Sequence, residues 1–321
     1  MNKNIKNILT IAIPLIIGIA MVFYQYQSLS SKEINQIVFY FKKVNYFYIG
    51  LSLFFMMIAH YVRAYRWQYA LNYLGYKSLM TNNFLTVLVS YFMNLTIPRS
   101  GEVSRAALLY KYEKIPFDKG FGTIVTERIV DFLVFLFFVG FGLIFNFKII
   151  SELLFKDFNI NQIIISFIVF IIGFYVFIKL WKNSNLKIIL IIKEKLKGLV
   201  EGMKAVLKMK EKKAYIFQAF IIWVLYFLMF YMFFISLEEA QGIPISTVLM
   251  GFIFGSLAIG LTNGGIGAYP LAVSIILSLF SVSKEIGVAV GWLAWTTQTI
   301  FTIFVGIISF ICLPIVNKLK K

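Results

Sequence analysis

Cysteine and histidine each occur once in this chain, as Cys312 and His60. A lone cysteine forms no intrachain disulfide and no cysteine-rich metal centre. A lone histidine without a thiol cluster lacks the partners of a zinc site. No metal or cofactor is therefore expected, and His60 reads as a packed or hydrogen-bonded side chain. A G-x-S-x-G nucleophile motif and a Walker loop are also missing, which argues against ATP-driven work by this chain alone. Charge is scarce: Asp, Glu, Lys and Arg make up 14% of the residues, against roughly 25% in soluble domains. Acidic residues are the rarer sign, 14 against 31 basic, for a net charge of +17. That excess does not point to nucleic acid, because the lysines cluster in loops where the positive-inside bias places them.

What fills the chain is apolar: 60% of its 321 residues are hydrophobic and 18% aromatic, with a mean hydropathy of +0.84. No soluble core of this length needs so much apolar surface. The composition predicts an all-α polytopic membrane protein, residues 1–321 forming a single transmembrane domain with no room for a large soluble one. Lys3 and Lys6 precede an apolar run from Ile8. Tyr24-Gln25-Tyr26-Gln27 offers no small-residue cleavage site, so a retained first helix is expected rather than a signal peptide.

About six full spans are expected, near Ile8–Tyr24, Tyr46–Ala64, Gly120–Phe147, Ile160–Trp181, Ala214–Ser236 and Gly287–Pro314. An amphipathic piece near Ile34–Phe41 follows the first. Two apolar stretches are broken in the middle. Phe84–Ile97 and Glu102–Lys114 flank Pro98-Arg99-Ser100-Gly101, while Pro244–Leu261 and Tyr269–Phe280 flank Asn263-Gly264-Gly265-Ile266-Gly267. Neither half of either pair is long enough to span, so both read as re-entrant helical hairpins. Irregular backbone at membrane depth persists only where protein or a watery cavity satisfies its polar groups. The halves match in spacing: Tyr46 to Pro98 is 52 positions and Ala214 to Gly264 is 50, while Tyr46 to Gly120 is 74 and Ala214 to Gly287 is 73. Span, hairpin and span recur, which predicts an inverted repeat (about 46–147 and 214–314) around a connecting span and basic loop (about 148–213). With the N-terminus inside, every major basic cluster falls on the cytoplasmic side and Glu238-Glu239 falls outside. The loop 182–213 carries ten lysines against three glutamates. It reads as a plain cytoplasmic loop or as an amphipathic helix on anionic headgroups.

Ionisable groups inside a membrane are functional candidates, since each costs roughly 2.5–3.5 kcal/mol to insert. The first half holds Arg99, Glu102, Arg105, Glu127, Arg128 and Asp131. Glu102 and Arg105 share a helix face, as do Glu127 and Asp131. A helix beginning near Gly101 directs free N–H groups and a positive dipole end into the membrane. Flanking arginines there suit an anion such as a lipid phosphate. The same residues also read as a buried structural ion-pair network. The second half has almost no charge at its break. Asn263, Gly264, Gly265 and Gly267 could cradle an anion in a backbone nest or pack closely against the other tip. Arg63 and Arg66 read as interfacial anchors of the second span.

Arg63-x-x-Arg66, Asn94-x-x-x-Pro98-Arg99-Ser100-Gly101-Glu102-x-x-Arg105 and Glu127-Arg128-x-x-Asp131 together resemble the lysylphosphatidylglycerol synthase transmembrane-region family, a flippase-like membrane domain. Gly264-Gly265-Ile266-Gly267 is similar to that family's second glycine motif; where the family often has a flanking proline and glutamate, this chain has Asn263 and Pro270. The resemblance implies a bacterial inner-membrane protein whose relatives move aminoacylated phospholipids between leaflets. It implies that Arg99, Glu102, Arg105, Glu127, Arg128 and Asp131 form the central site. The soluble aminoacyltransferase domain of the full-length synthases is missing, so this chain is expected to act as a lipid translocase rather than to make the lipid. Membrane lipids are the expected partners, with a separate lipid-modifying enzyme upstream. A membrane-embedded enzyme acting on a lipid phosphate or polyprenyl-linked substrate, and an accessory protein of envelope lipid assembly, are the alternatives.

Overall fold

The computed structural model describes residues 16–97, 100–155, 206–262 and 264–318, which are helical apart from short turns, with no strand among them. Residues 16–27 form α1. It is followed by α2 (Ser31–Lys43), α3 (Tyr46–Tyr73), α4 (Met80–Thr96), α5 (Ser100–Glu113), α6 (Phe117–Phe145) and α7 (Phe147–Phe155). The second half contains α8 (Lys212–Ile235), α9 (Ile245–Leu261), α10 (Ala268–Leu279) and α11 (Lys284–Lys318). Four of these helices, α3, α6, α8 and α11, are long and apolar enough to cross a bilayer. The chain is an all-α, multi-pass membrane protein. The expected span Ile160–Trp181, the first half of the span Ile8–Tyr24 and most of the lysine-rich loop lie outside the described residues.

The second span runs further than its hydropathy suggests. Nothing between Ala64 and Tyr73 breaks a helix, and the end comes only at Gly75, whose φ of +84° is open to glycine. The Tyr76 amide donates to Leu71 O and the Gly75 amide to Asn72 O, a Schellman closure that satisfies the last carbonyls. Arg63 and Arg66 therefore lie about two to three turns inside α3 rather than at its end.

Each hairpin is closed by its own sequence. Ile97, ahead of Pro98, is extended at φ −130° and ψ 126°, as the residue before a proline should be. Across that break the Ser100 hydroxyl donates to Met93 O at 2.7 Å, and the Gly101 amide donates to Asn94 Oδ1 at 2.7 Å. A Cβ on Gly101 would run into the Ser90 carbonyl and the Asn94 amide, so only glycine lets α5 fold back this closely. In the second hairpin Gly264, Gly265 and Gly267 all have positive φ, at +65°, +73° and +67°. They turn the chain within a few residues, and the Tyr269 amide then donates to Gly265 O at 2.8 Å to start α10.

The two halves interlock. Spans α3 and α8 pack on each other. The first hairpin places α4 against α11 and α5 against α6; the second places α9 against α6 and α10 against α11. Small residues make the last contact close. Gly287 and Gly291 are one turn apart on α11, and a Cβ there would come within 3.1 Å of Ser274 Cα and 2.9 Å of Pro270 Cα. This is small-residue packing of the kind membrane helices use, because lipid tails provide no hydrophobic drive for association. The expected amphipathic piece is α2, opened by a Ser30–Glu33 capping box and tied to the start of α11 by Lys284, which lies 3.5 Å from Glu33. The short apolar helix α7 was not expected from the sequence.

Gly291→Val should cost roughly 1–3 kcal/mol by forcing α10 from α11, read as the unfolding midpoint in mild detergent. Gly122→Ala, where a Cβ meets nothing within 4 Å, should instead be neutral or stabilising by up to about 1 kcal/mol.

Candidate functional site

Three helices converge on a buried charge cluster. Arg63 and Arg66 come from α3, Arg105 from α5, and Glu127 and Asp131 from α6. Arg63 Nη1 donates to Glu127 Oε1 at 2.5 Å and to Asp131 Oδ2 at 2.6 Å. Arg105 grips Glu127 with both prongs, at 3.0 Å each. Arg66 Nη2 lies 2.7 Å from Asp131 Oδ1 and 3.7 Å from Glu127 Oε1. Two of these guanidiniums also face aromatic rings: Arg105 sits 3.8 Å over Trp67, and Arg66 5.2 Å from the Tyr215 ring of α8. Trp67 is itself fixed by its Nε1–H, which donates to Thr123 Oγ1 at 2.8 Å.

Arg63 and Arg66 are thus not interfacial anchors. Their relative exposures are 2% and 0%. The expectation fails because the length of α3 was underestimated and because the carboxylates that neutralise these arginines are supplied by α6, some 60 residues away in sequence.

A cavity of about 730 Å³ lies beside the cluster. Its charged wall is Arg63, Glu102, Arg128 and Asp131. Glu102 on α5 and Arg128 on α6 form a second ion pair at 2.8 Å, with side chains 23% and 40% exposed. Arg105 and Glu127, expected at the site's centre, do not line the cavity; they hold the helices that do. Among the described residues, four arginines (Arg63, Arg66, Arg105, Arg128) meet three carboxylates (Glu102, Glu127, Asp131), leaving one positive charge over. Arg99 and Asn263 lie outside the described residues.

The second half contributes the opposite wall, with Thr262, Gly264, Tyr269 and Gln298 all lining the cavity. Gly264 also meets the first hairpin, where an added Cβ would come 3.0 Å from Leu95. Its carbonyl accepts from Trp295 Nε1 at 2.8 Å. Gly265 and Gly267 do not line the cavity; Gly265 packs under Tyr269 and Gly267 against α1 at Gly18. The glycine motif therefore serves close packing at Gly265 and Gly267, while Gly264 meets both the other tip and the cavity.

Sequence reasoning missed the aromatic part of the site. Trp223, Tyr226 and Phe230 of α8 face the cavity with Phe252 and Tyr91. Positions 223, 226 and 230 share one helix face, which was a readable signal, yet in a chain 18% aromatic it did not stand out. His60 also lines the cavity, its ring tilted at 40° to that of Tyr91 with centroids 4.3 Å apart, and it has no hydrogen-bond partner among the described residues. No group of three or more His, Cys, Asp or Glu among the described residues is arranged to hold a metal ion.

A family model for the lysylphosphatidylglycerol synthase TM region matches residues 11–306. This chain belongs to that family. A UPF0104 membrane protein of Methanocaldococcus jannaschii is 33% identical over 114 residues, covering 33% of this chain and 34% of the relative. The chain thus spans about a third of that protein's length. No solved structure matches the chain. Within the family's region, the cluster and the cavity-facing pair have separate consequences for stability.

Removing one partner of a buried ion pair leaves an uncompensated charge. Arg105→Ala should destabilise the protein by about 3–5 kcal/mol, measured by denaturant unfolding in detergent. Glu102→Gln breaks a partly exposed pair and should cost no more than about 1 kcal/mol.

Proposed function

We propose that this protein moves a charged-headgroup lipid, anionic or zwitterionic, between the leaflets of a bacterial cytoplasmic membrane. The observation that carries this reading is the cavity between the two hairpin tips. It has a partly exposed Glu102–Arg128 pair in one part of its lining, glycine backbone in another, and a net positive charge among the described ionisable groups around it. A lipid phosphate would meet Arg128, any cationic part of the headgroup would meet Glu102, and the tails would stay in the bilayer. Arg99 is assigned to the same set on its sequence motif alone. Membership of a family named for a lipid synthase's membrane region supports a lipid cargo. An aminoacylated cargo would be delivered by a separate lipid-modifying enzyme.

In this reading α4–α5 and α9–α10 are re-entrant hairpins entering from opposite faces of the membrane. The two halves form an inverted repeat, with both termini cytoplasmic. The exchange of hairpin contacts between halves, α4 on α11 and α9 on α6, supports the repeat. The positive-inside bias supports the orientation. Transport is favoured over lipid chemistry because Glu127 does not line the cavity and both carboxylates that do are ion-paired.

Glu102→Ala and Arg128→Ala should each insert normally and slow translocation about tenfold or more, the worth of a lost charge-assisted hydrogen bond. The measurement is a leaflet-resolved lipid profile of cells carrying each variant, with one lipid class keeping its total and shifting leaflet. A normal leaflet distribution in both variants would overturn the proposal. A changed lipid total without a leaflet shift would replace it with the enzyme reading.

A further inference from the structure

The charged wall accounts for only part of the cavity. Behind it the lining is aromatic and continuous: Trp223 lies 6.0 Å from Phe252, Phe252 6.1 Å from Phe230, and Phe230 6.5 Å from Tyr269, between ring centroids. Among these rings stand polar atoms that no group among the described residues satisfies. They are both ring nitrogens of His60, Trp223 Nε1 and Gln298 Nε2, with Glu102 Oε2 at the charged edge. All four residues line the cavity, and His60 is only 2% exposed. Buried polar groups in folded proteins almost always have partners, so a cluster of orphans in a cavity marks a place for a ligand or ordered water.

The orphans restrict what that ligand is. Trp223 and Gln298 offer donors, Glu102 an acceptor, and a neutral His60 one of each. A phosphate, which only accepts, would leave Glu102 and one His60 nitrogen unmatched. An ammonium, which only donates, would leave Trp223 and Gln298 unmatched and would meet a site already one charge positive among the described residues. Hydroxyl groups both donate and accept. A sugar ring carries several at its edge and presents an apolar C–H face, which suits aromatic walls with hydrogen-bonding groups between them. The volume, about 730 Å³, lies in the range that encloses a drug-sized group and so has room for a sugar beside a phosphate.

We propose that the aromatic compartment, with His60, Trp223 and Gln298, binds the glycosyl unit of a lipid-linked sugar phosphate whose phosphate sits at Arg128. The inference rests on the headgroup reading above and adds the class of cargo.

The test is calorimetric titration of the purified full chain, in a detergent without sugar, with citronellyl phosphate and with citronellyl phosphoglucose. The glucosylated compound should bind about tenfold more tightly or better, the worth of one or two added hydrogen bonds. Trp223→Phe, which keeps a smaller aromatic ring and removes the N–H, and Gln298→Leu should each bring the ratio of the two affinities close to one. Equal affinities in the unaltered protein, or a sugar preference that survives both substitutions, would overturn the glycosyl site and leave the headgroup reading standing. Failure of both compounds to bind the folded protein would overturn the headgroup reading and this inference together.

Discussion

The cost of placing a guanidinium inside a membrane protein governs this structure. Arg63, Arg66 and Arg105 are almost wholly buried, and such charges are retained only when carboxylates and hydrogen bonds replace the lost water. Glu127 and Asp131, one turn apart on α6, provide that replacement for arginines from two other helices. The positions of α3, α5 and α6 are coupled as a result, since moving any one strands a charge. Trp67 and Tyr215 face two of these guanidiniums, which brings α8 of the second half into the same unit. The first hairpin can then present Glu102 from a rigid base to Arg128 of α6 at the cavity.

The second half solves a different problem with different residues. Its hairpin turns on three left-handed glycines and needs no charge to hold it, because α10 is seated on α11 by glycine contacts. The cavity between the tips is consequently asymmetric. Charge comes from the first half, while most of the aromatic rings come from the second half, joined by His60 and Tyr91, and each half supplies one side-chain amide, Asn94 and Gln298. An amphipathic headgroup has two ends to place, and such a cavity has a separate wall for each.

Much of this was legible in the sequence. The long apolar runs marked the spans, and the Pro98 and Gly264–Gly267 breaks marked both hairpins to within a few residues, because proline and left-handed glycine act locally. The pairing of Glu127 with Asp131 on one face followed from their spacing. The division of labour within the charged set was not legible. Glu102 and Arg105 are three apart, yet one meets Arg128 at the cavity and the other is sealed under Trp67. That difference depends on which neighbouring helix each one faces. Arg63 and Arg66 were misread for the same reason: a basic residue near the end of an apolar run looks interfacial until its distant partner is known. The aromatic compartment was hidden by abundance, since a stripe such as Trp223, Tyr226 and Phe230 carries little contrast where aromatic residues are common throughout.

The most direct test of the buried cluster as a single coupled unit is a double-mutant cycle on Arg63 and Asp131. Arg63→Gln, Asp131→Asn and the double variant would be compared by unfolding in detergent. Because each single change strands the other's charge, the double variant should be more stable than the sum of the singles by about 2–3 kcal/mol. Additivity to within about 0.5 kcal/mol would contradict the view that these charges hold the helices together.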